Sequence, residues 1–147
     1  MMLEGMAFEL IDGENLDYKG EIIQEVLQDK TAEENIFVVA VIGPQSSGKS
    51  TLMNYAFGTQ FLSSQGRCTS GIYFTLQRLP DHLAQNKAGV KWVLMLDTGG
   101  LFGIERMQHD NVDEYDRKIV LFAMLASDML IINVKRGRMI DKMINLL

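Results

Sequence analysis

A continuous apolar run that leads directly into a glycine-flanked polar loop constrains the fold of this chain more than any other feature. Residues Ile36–Ile42 are apolar throughout and rich in β-branched side chains, which predicts a strand buried on both faces, as in a parallel sheet. The loop Gly43–Gly48 follows, and Lys49–Phe57 predicts the helix that this loop opens, with Gly58 at its end. A strand, a tight loop and a helix in succession are typical of layered α/β proteins.

The rest of the chain alternates in the same way between strand-like and helix-like segments. Further strands are predicted at Phe8–Ile11, Gly71–Arg78, Val90–Leu96 and Met129–Val134, and further helices at Lys19–Gln28, Asp113–Ala126 and Ile140–Leu147. We expect a three-layer α/β domain with a mainly parallel sheet, in which the strand from Ile36 is central. The buried strands from Val90 and Met129 should flank it, and the strand from Gly71 should run antiparallel at one side.

The length and composition are those of one globular domain. The chain has 147 residues, of which 47% are hydrophobic and 22% charged, so we expect residues 1–147 to form a single domain in which 1–35 supply a strand and a helix before the core. The net charge of −5 disfavours sequence-independent nucleic-acid binding, which depends on Lys and Arg. A single cysteine, no signal peptide and no apolar run of spanning length predict a cytoplasmic protein without a transmembrane segment.

The polar loop carries the spacing Gly43-x-x-x-x-Gly48-Lys49-Ser50, which is typical of loops that bind the phosphates of a nucleoside triphosphate. Glycines let main-chain N–H groups approach the phosphates, and the positive end of the following helix dipole adds to that field. Lys49 should contact the β- and γ-phosphates, and the Ser50 hydroxyl should bind Mg²⁺. The plainer alternative is a Gly/Ser-rich corner without a ligand. The predicted nucleotide-binding residues of this phosphate loop (residues 43–51) are Gly43, Gln45, Ser46, Ser47, Gly48, Lys49, Ser50 and Thr51.

A second candidate element is Asp97-Thr98-Gly99-Gly100, at the end of the strand from Val90. An aspartate followed three residues later by glycine fits the pattern Asp-x-x-Gly, in which the carboxylate holds Mg²⁺ through a water molecule. The N–H of Gly100 would contact the γ-phosphate, because no side chain blocks its approach. Hydrolysis would remove that contact and release the loop. A simple turn after a strand is the alternative interpretation.

A third candidate element is the polar stretch Gly66–Gly71. A loop that senses the γ-phosphate needs a hydroxyl group that reaches Mg²⁺ when the triphosphate is bound. Thr69 is the first choice because it stands just before the next strand, and Ser63, Ser64 and Ser70 are competitors. A solvated loop without any ligand contact is the alternative.

These motifs resemble those of the dynamin-like large GTPases, the group that contains guanylate-binding proteins, atlastins with their plant and fungal counterparts, and the very large interferon-inducible GTPases. Gly43–Asn54 is similar to their phosphate loop, including the trailing Leu-x-Asn. Gly66–Tyr73 is most similar to the very large inducible GTPases, in which the threonine at the place of Thr69 binds Mg²⁺. Asp97–Leu101 corresponds to their Asp-Thr-Glu-Gly-Leu. The resemblance covers nearly the whole chain.

Three departures from this group limit what the resemblance implies. Gly99 stands where the group usually has glutamate, and Ser46 stands where guanylate-binding proteins and atlastins carry a catalytic arginine. Because arginine neutralises charge in the transition state, hydrolysis would be slow unless Ser46, Arg67 or a partner's arginine takes that role. No base-reading motif is visible, so we expect a domain that is truncated before the base-reading strand, and guanine specificity rests on the resemblance.

The resemblance implies a GTPase that converts GTP to GDP and phosphate with Mg²⁺ and nucleotide-dependent switch loops. Members of the group pair through their nucleotide-binding faces, which implies a homodimer of that kind. A catalytically weak assembly module and an ATP-dependent enzyme with the same phosphate loop remain open. The candidate catalytic residues are Lys49, Ser46, Thr69 and Arg67, and the candidate metal ligands are Ser50, Thr69 and Asp97.

Overall fold

Strands and helices alternate along the part of the chain that the computed structural model describes, which comprises residues 6–28, 35–61, 70–84, 89–103, 112–134 and 139–147. The strands are β1 (Phe8–Ile11), β2 (Asn35–Ile42), β3 (Ile72–Arg78), β4 (Val90–Thr98) and β5 (Met129–Ile132). The helices are α1 (Gly20–Gln28), α2 (Lys49–Phe57), α3 (Asp81–Ala84), α4 (Val112–Ala126) and α5 (Met139–Leu146). Within these ranges, none of the helices combines the length and the apolar character that a membrane crossing requires.

The strands form one mixed sheet with the order β1-β3-β4-β2-β5. Strand β2 runs parallel to both β4 and β5, which confirms the two predicted neighbours, although the middle strand of the five is β4 and not β2. Strand β3 is antiparallel to β4, as predicted, and β1 is antiparallel to β3. The prediction of a mainly parallel sheet is therefore only partly correct. The difference comes from β1, whose antiparallel pairing with β3 gives the sheet two antiparallel pairs beside its two parallel pairs.

Apolar side chains of the central strands alternate between two cores on opposite faces of the sheet. In β2, Ala40 and Ile42 belong to the larger core, which also contains Ile119 of α4, whereas Val41 packs with Met53 of α2 in the smaller core. A strand whose two faces are both covered by helices is what a continuous apolar run predicts. Helices on both faces confirm the layered α/β architecture.

Strand β5 lies beside β2 at one end of the sheet. Asp128, just before it, accepts a hydrogen bond from the N–H of Val38 at 2.8 Å and donates its own N–H to the Val38 carbonyl oxygen at 2.9 Å. Met129 is 50% exposed and Ile132 is 42% exposed. The prediction of a buried strand here was wrong, because apolar composition does not distinguish an end position from an interior one.

Candidate functional site

Two glycines of the phosphate loop are required for different physical reasons. Gly43 follows β2, and a Cβ atom built on it would lie 2.1 Å from the carbonyl oxygen of Asn133. Gly48 precedes α2 with φ +87, a left-handed conformation that only glycine adopts without strain, although the space around it is open. Because Gly48 has no side chain, no side-chain oxygen of the cap accepts from the N–H groups of the first turn of α2. Such N–H groups at a helix start are the ones that bind anions. Ser46 is also left-handed, with φ 59.

The Lys49 side chain is buried inside the loop that precedes it. Only 6% of the residue is exposed. Its Nζ donates hydrogen bonds to the carbonyl oxygens of Gly43 at 3.1 Å and Pro44 at 3.0 Å. A buried ammonium group is costly unless it is hydrogen-bonded, and here the loop's own carbonyl groups supply partners. The loop thus holds a positive charge at its centre.

The first turn of α2 is joined to the carboxyl end of β4 by a hydrogen bond. Ser50 Oγ donates to Asp97 Oδ2 at 2.5 Å. Asp97 is 1% exposed, and burial raises the pKa of its carboxyl group to about 6, while the hydrogen bond from Ser50 and the charge of Lys49 oppose that rise. The second oxygen, Oδ1, is buried and has no hydrogen-bond partner among the residues that the structure describes.

The chemistry of this pair fits a magnesium ion. Ser50 and Asp97 offer hydroxyl and carboxylate oxygens, which are the ligands that Mg²⁺ prefers, and the unsatisfied Oδ1 is the kind of atom that a cation or its water would satisfy. Within the described ranges, no three His, Cys, Asp or Glu side chains converge as a metal-binding group. A site with one carboxylate matches Mg²⁺ bound jointly by protein and phosphates rather than by a protein cage.

The segment after β4 is joined to the phosphate loop by main-chain hydrogen bonds. The N–H of Leu101 donates to the Gly43 carbonyl oxygen at 3.0 Å, and the N–H of Gln45 donates to the Leu101 carbonyl oxygen at 2.8 Å. A Cβ atom on Gly100 would lie 2.3 Å from the Cα of Gln45. The two sequence motifs are therefore in direct contact, and Gly100 is needed for that approach.

The predicted site residues fall into two groups. The structure brings together the phosphate loop, Asp97 and Gly100. Within the loop the side chains of Ser46 and Thr51 are exposed, while those of Gln45 and Ser47 are half-buried. Of the candidates in the third element, Ser70 is exposed and adjoins Gly13. Arg67, Thr69, Ser63 and Ser64 lie outside the described residues, so their roles stay predictions.

Sequence reasoning missed Asn133 as a support of the phosphate loop. Its Nδ2 donates to the carbonyl oxygen of Ser47 at 3.0 Å, and its N–H donates to the carbonyl oxygen of Ile42 at 2.8 Å. Asn133 follows β5, whose carboxyl end lies next to that of β2. A polar residue directly after an apolar strand in a parallel pair was the available signal, because ligand sites gather at those strand ends.

Sequence reasoning also gave no role to Asn54, which organises the turn after α2. Its Nδ2 donates to the carbonyl oxygen of Phe61 at 2.9 Å. Its Oδ1 accepts from the hydroxyl of Thr59 at 2.7 Å and from the N–H of Phe61 at 2.9 Å. Gly58 caps the end of the helix: its φ is 67, in the left-handed region, and its N–H donates to the carbonyl oxygen of Asn54.

Comparisons with known proteins agree with this geometry. The sequence model of the family described as URGCP-like GTPase domain matches residues 1–146. The chain is 33% identical over 138 residues to interferon-induced very large GTPase 1 of Mus musculus, and the aligned region covers 91% of the chain and 6% of that protein. It is 33% identical over 144 residues to protein SEY1 of Phaeosphaeria nodorum, where the aligned region covers 83% of the chain and 16% of that protein. The chain thus spans a small part of these relatives.

Proposed function

Because the chain belongs to the URGCP-like GTPase domain family, we propose that it binds GTP with Mg²⁺ and hydrolyses it to GDP and phosphate. One observation carries the proposal: the Lys49 ammonium group, the Ser50 hydroxyl and the Asp97 carboxylate converge at the phosphate loop. A cation, a hydroxyl and a buried carboxylate at a helix start are the groups that a triphosphate and its metal ion require.

The phosphate loop supplies the binding energy in this proposal. Main-chain N–H groups at Gly48 and in the first turn of α2 contact the phosphate oxygens, and Lys49 exchanges the carbonyl groups of Gly43 and Pro44 for the β- and γ-phosphates. Ser50 and Asp97 hold the metal side of the nucleotide. A bound Mg²⁺ neutralises charge that develops on the β- and γ-phosphates. Gly100 lies against Gln45 of the loop, and we propose that its N–H contacts the γ-phosphate.

Hydrolysis transfers the γ-phosphoryl group to a water molecule, and the bond to the β-phosphate oxygen breaks. The position at which guanylate-binding proteins and atlastins carry a catalytic arginine holds Ser46, which is exposed and uncharged. We therefore propose that this chain alone hydrolyses GTP slowly. Arg67 or a partner's arginine would supply the positive charge that stabilises the transition state. Thr69 is proposed as the second hydroxyl ligand of Mg²⁺.

The proposal extends to regulation and assembly. The segments before β3 and after β4 would be the nucleotide-dependent loops, because one precedes a strand paired with β4 and the other contacts the phosphate loop directly. A homodimer through the nucleotide-binding face of this single domain follows from the resemblance to guanylate-binding proteins and atlastins. A cytoplasmic location agrees with the single cysteine.

Calorimetry with GTP and Mg²⁺ tests the binding step. The variant Lys49→Ala should bind GTP at least about hundredfold more weakly, because it loses charge-assisted contacts with two phosphates. Lys118→Ala is the matched control, since Lys118 is exposed on α4 and pairs only with Glu114 among the described ion pairs. Unchanged affinity in Lys49→Ala would overturn the assignment of the site.

Two further measurements separate the proposal from its alternatives. Phosphate release from GTP above the rate in buffer supports a GTPase, whereas tight binding without turnover supports an assembly module. Competition between ATP and GTP for one labelled nucleotide distinguishes a GTPase from an ATP-dependent enzyme. The second measurement matters because the base-reading motif of the dynamin-like large GTPases has no visible counterpart in the sequence.

A further inference from the structure

Helix α4 contacts the segment before β3 and the segment after β4, and the second of these is hydrogen-bonded to the phosphate loop. The hydroxyl of Tyr115 accepts a hydrogen bond of 3.0 Å from the N–H of Gly71, just before β3. The carboxylate of the next residue, Asp116, accepts a hydrogen bond of 2.9 Å from the N–H of Phe102, in the segment after β4. Two consecutive helix residues thus hold two segments that are far apart in sequence.

Gly71 is fixed on several sides at once. Its carbonyl oxygen accepts a hydrogen bond of 2.6 Å from the N–H of Gly99, which begins the segment after β4. Its φ is +77, and a Cβ atom there would lie 2.0 Å from the carbonyl oxygen of Ile11. The left-handed backbone and the contact with β1 both require glycine. Gly71 therefore joins the two segments directly, while Tyr115 anchors the junction to α4.

Phe102 is held in a conformation that its residue type disfavours. Its φ is 57, in the left-handed region, where a residue with a Cβ atom is strained. The Asp116 carboxylate that accepts its N–H is fully buried. A buried carboxylate is costly unless hydrogen bonds satisfy it. The bend at Phe102 comes directly after Leu101, which pairs with the phosphate loop. The contact with Asp116 thus helps to keep Leu101 in place.

We propose that Tyr115 and Asp116 are positioning residues that hold the segments before β3 and after β4 in one joint arrangement, so that loosening one segment loosens the other. The inference rests on the proposed function, because these are the segments that would meet the γ-phosphate. In that setting α4 acts on triphosphate binding and hydrolysis without touching the nucleotide. The alternative is that the two side chains only attach α4 to the sheet.

Amide hydrogen exchange in the nucleotide-free 147-residue chain tests the coupling without depending on GTP. The variant Tyr115→Phe keeps the ring, which packs against the core, and removes the hydroxyl group that accepts from Gly71. We expect exchange to be at least about fivefold faster at Gly71, and also at Gly99 and Leu101, because one lost hydrogen bond changes a local opening equilibrium by roughly this factor. The control is Tyr55→Phe, since Tyr55 is 89% exposed.

Acceleration confined to Gly71, with Gly99 and Leu101 unchanged, would overturn the coupling. Asp116→Asn supplies an independent variant for the second contact, because it keeps an oxygen acceptor for Phe102 at nearly the same volume. We expect it to change exchange less than Asp116→Ala at both Phe102 and Gly71. If Asp116→Ala does not fold, the Tyr115→Phe result alone decides, since that variant keeps the apolar packing.

Nucleotide measurements then test whether the coupling serves the proposed function. In Tyr115→Phe we expect kcat to fall and the affinity for a non-hydrolysable GTP analogue to weaken by roughly fivefold to tenfold. GDP affinity should change by less than about twofold, because the phosphate loop is intact. Equal changes for GDP and the analogue would indicate a purely structural role and overturn the proposal. Absence of GTP binding in the unmodified chain would instead contradict the proposed function, and the exchange result would still stand.

Discussion

The Ser50 hydroxyl donates to the Asp97 carboxylate at 2.5 Å, which connects the start of α2 to the penultimate residue of β4. Both residues are proposed metal ligands, and this hydrogen bond joins them directly. The hydrogen bond satisfies only Oδ2 of Asp97, while Oδ1 is buried and has no partner within the described part of the chain. The pair therefore keeps one carboxylate oxygen that can still bind a cation.

The first prediction concerns the pH dependence of stability in the absence of Mg²⁺ and nucleotide. Burial raises the Asp97 pKa from 3.8 to about 6, so the folded chain holds this proton more tightly than the unfolded chain. The resulting stabilisation is greatest below the unfolded value and disappears as pH rises through the folded value. Between about pH 4.5 and about pH 7.5 we expect a loss of about 2 kcal/mol from this group.

Urea unfolding of the wild type and Asp97→Asn at both pH values isolates that contribution. The asparagine variant keeps the shape of the side chain but has no proton to release, so only the wild type should lose the stated free energy. The two proteins should therefore differ more at the higher pH, with the variant gaining relative to the wild type. A constant difference across the range would show that the Asp97 pKa is not raised.

The second prediction concerns the close approach between Gly100 and Gln45. In Gly100→Ala the new Cβ would lie 2.3 Å from a main-chain carbon, so the segment after β4 must move away from the phosphate loop. We expect GTP affinity to weaken by at least about tenfold, measured by calorimetry.

The control for this variant is Gly58→Ala, which introduces left-handed strain at φ +67 in open space, remote from the loop contact. It should cost about 1 kcal/mol of stability and leave GTP affinity unchanged. Equal affinities for GTP in the two variants would contradict the steric argument.

The third prediction concerns Asn54 and the turn that follows α2. Asn54→Ala removes one donor and an acceptor shared by two groups. We expect the free energy of unfolding to fall by about 2–3 kcal/mol, because each lost hydrogen bond contributes about 1 kcal/mol and the partners lie in a partly buried turn. Gln60→Ala, an exposed position in the same turn, should change it by less than about 0.5 kcal/mol. Similar losses in both variants would indicate that the turn is insensitive to this network.

The fourth prediction concerns Ser46, which occupies the place of a catalytic arginine in guanylate-binding proteins and atlastins. Its side chain is exposed, so a longer side chain can be accommodated. If the loop lacks positive charge in the transition state, Ser46→Arg should raise kcat for GTP by at least about tenfold. Ser46→Gln, which is long but neutral, should leave kcat unchanged in single-turnover assays of phosphate release. An equal response to both substitutions would mean that charge is not what the position lacks.

How much of the molecule the sequence predicts depends on where the determining contacts lie. The bounds of α2 were predicted correctly because the flanking residues, Gly48 and Gly58, both have left-handed backbones that end a helix locally. Strand β4 ends at Thr98, two residues beyond the predicted end at Leu96. Composition alone misplaces this end, because polar residues after an apolar run are typical of a loop. In the structure the Thr98 hydroxyl donates to the Val41 carbonyl oxygen at 2.8 Å, a long-range contact that composition does not reveal.

The same distinction holds for the site. The convergence of the phosphate loop and Asp97 was predicted, because both motifs sit at the carboxyl ends of neighbouring parallel strands. The contacts of Asn133 with Ser47 and of Asp116 with Phe102 were not, since they join residues that only the three-dimensional fold brings together. The roles of Thr69 and Arg67 remain predictions.

The position of the Lys49 ammonium group would give the proposed nucleotide binding a particular thermodynamic character. Since the group already has two carbonyl partners inside the loop, an arriving phosphate substitutes for existing bonds and does not meet a bare cation. The heat released on association therefore reports a difference between two sets of hydrogen bonds, and it will understate the strength of the lysine–phosphate contact itself.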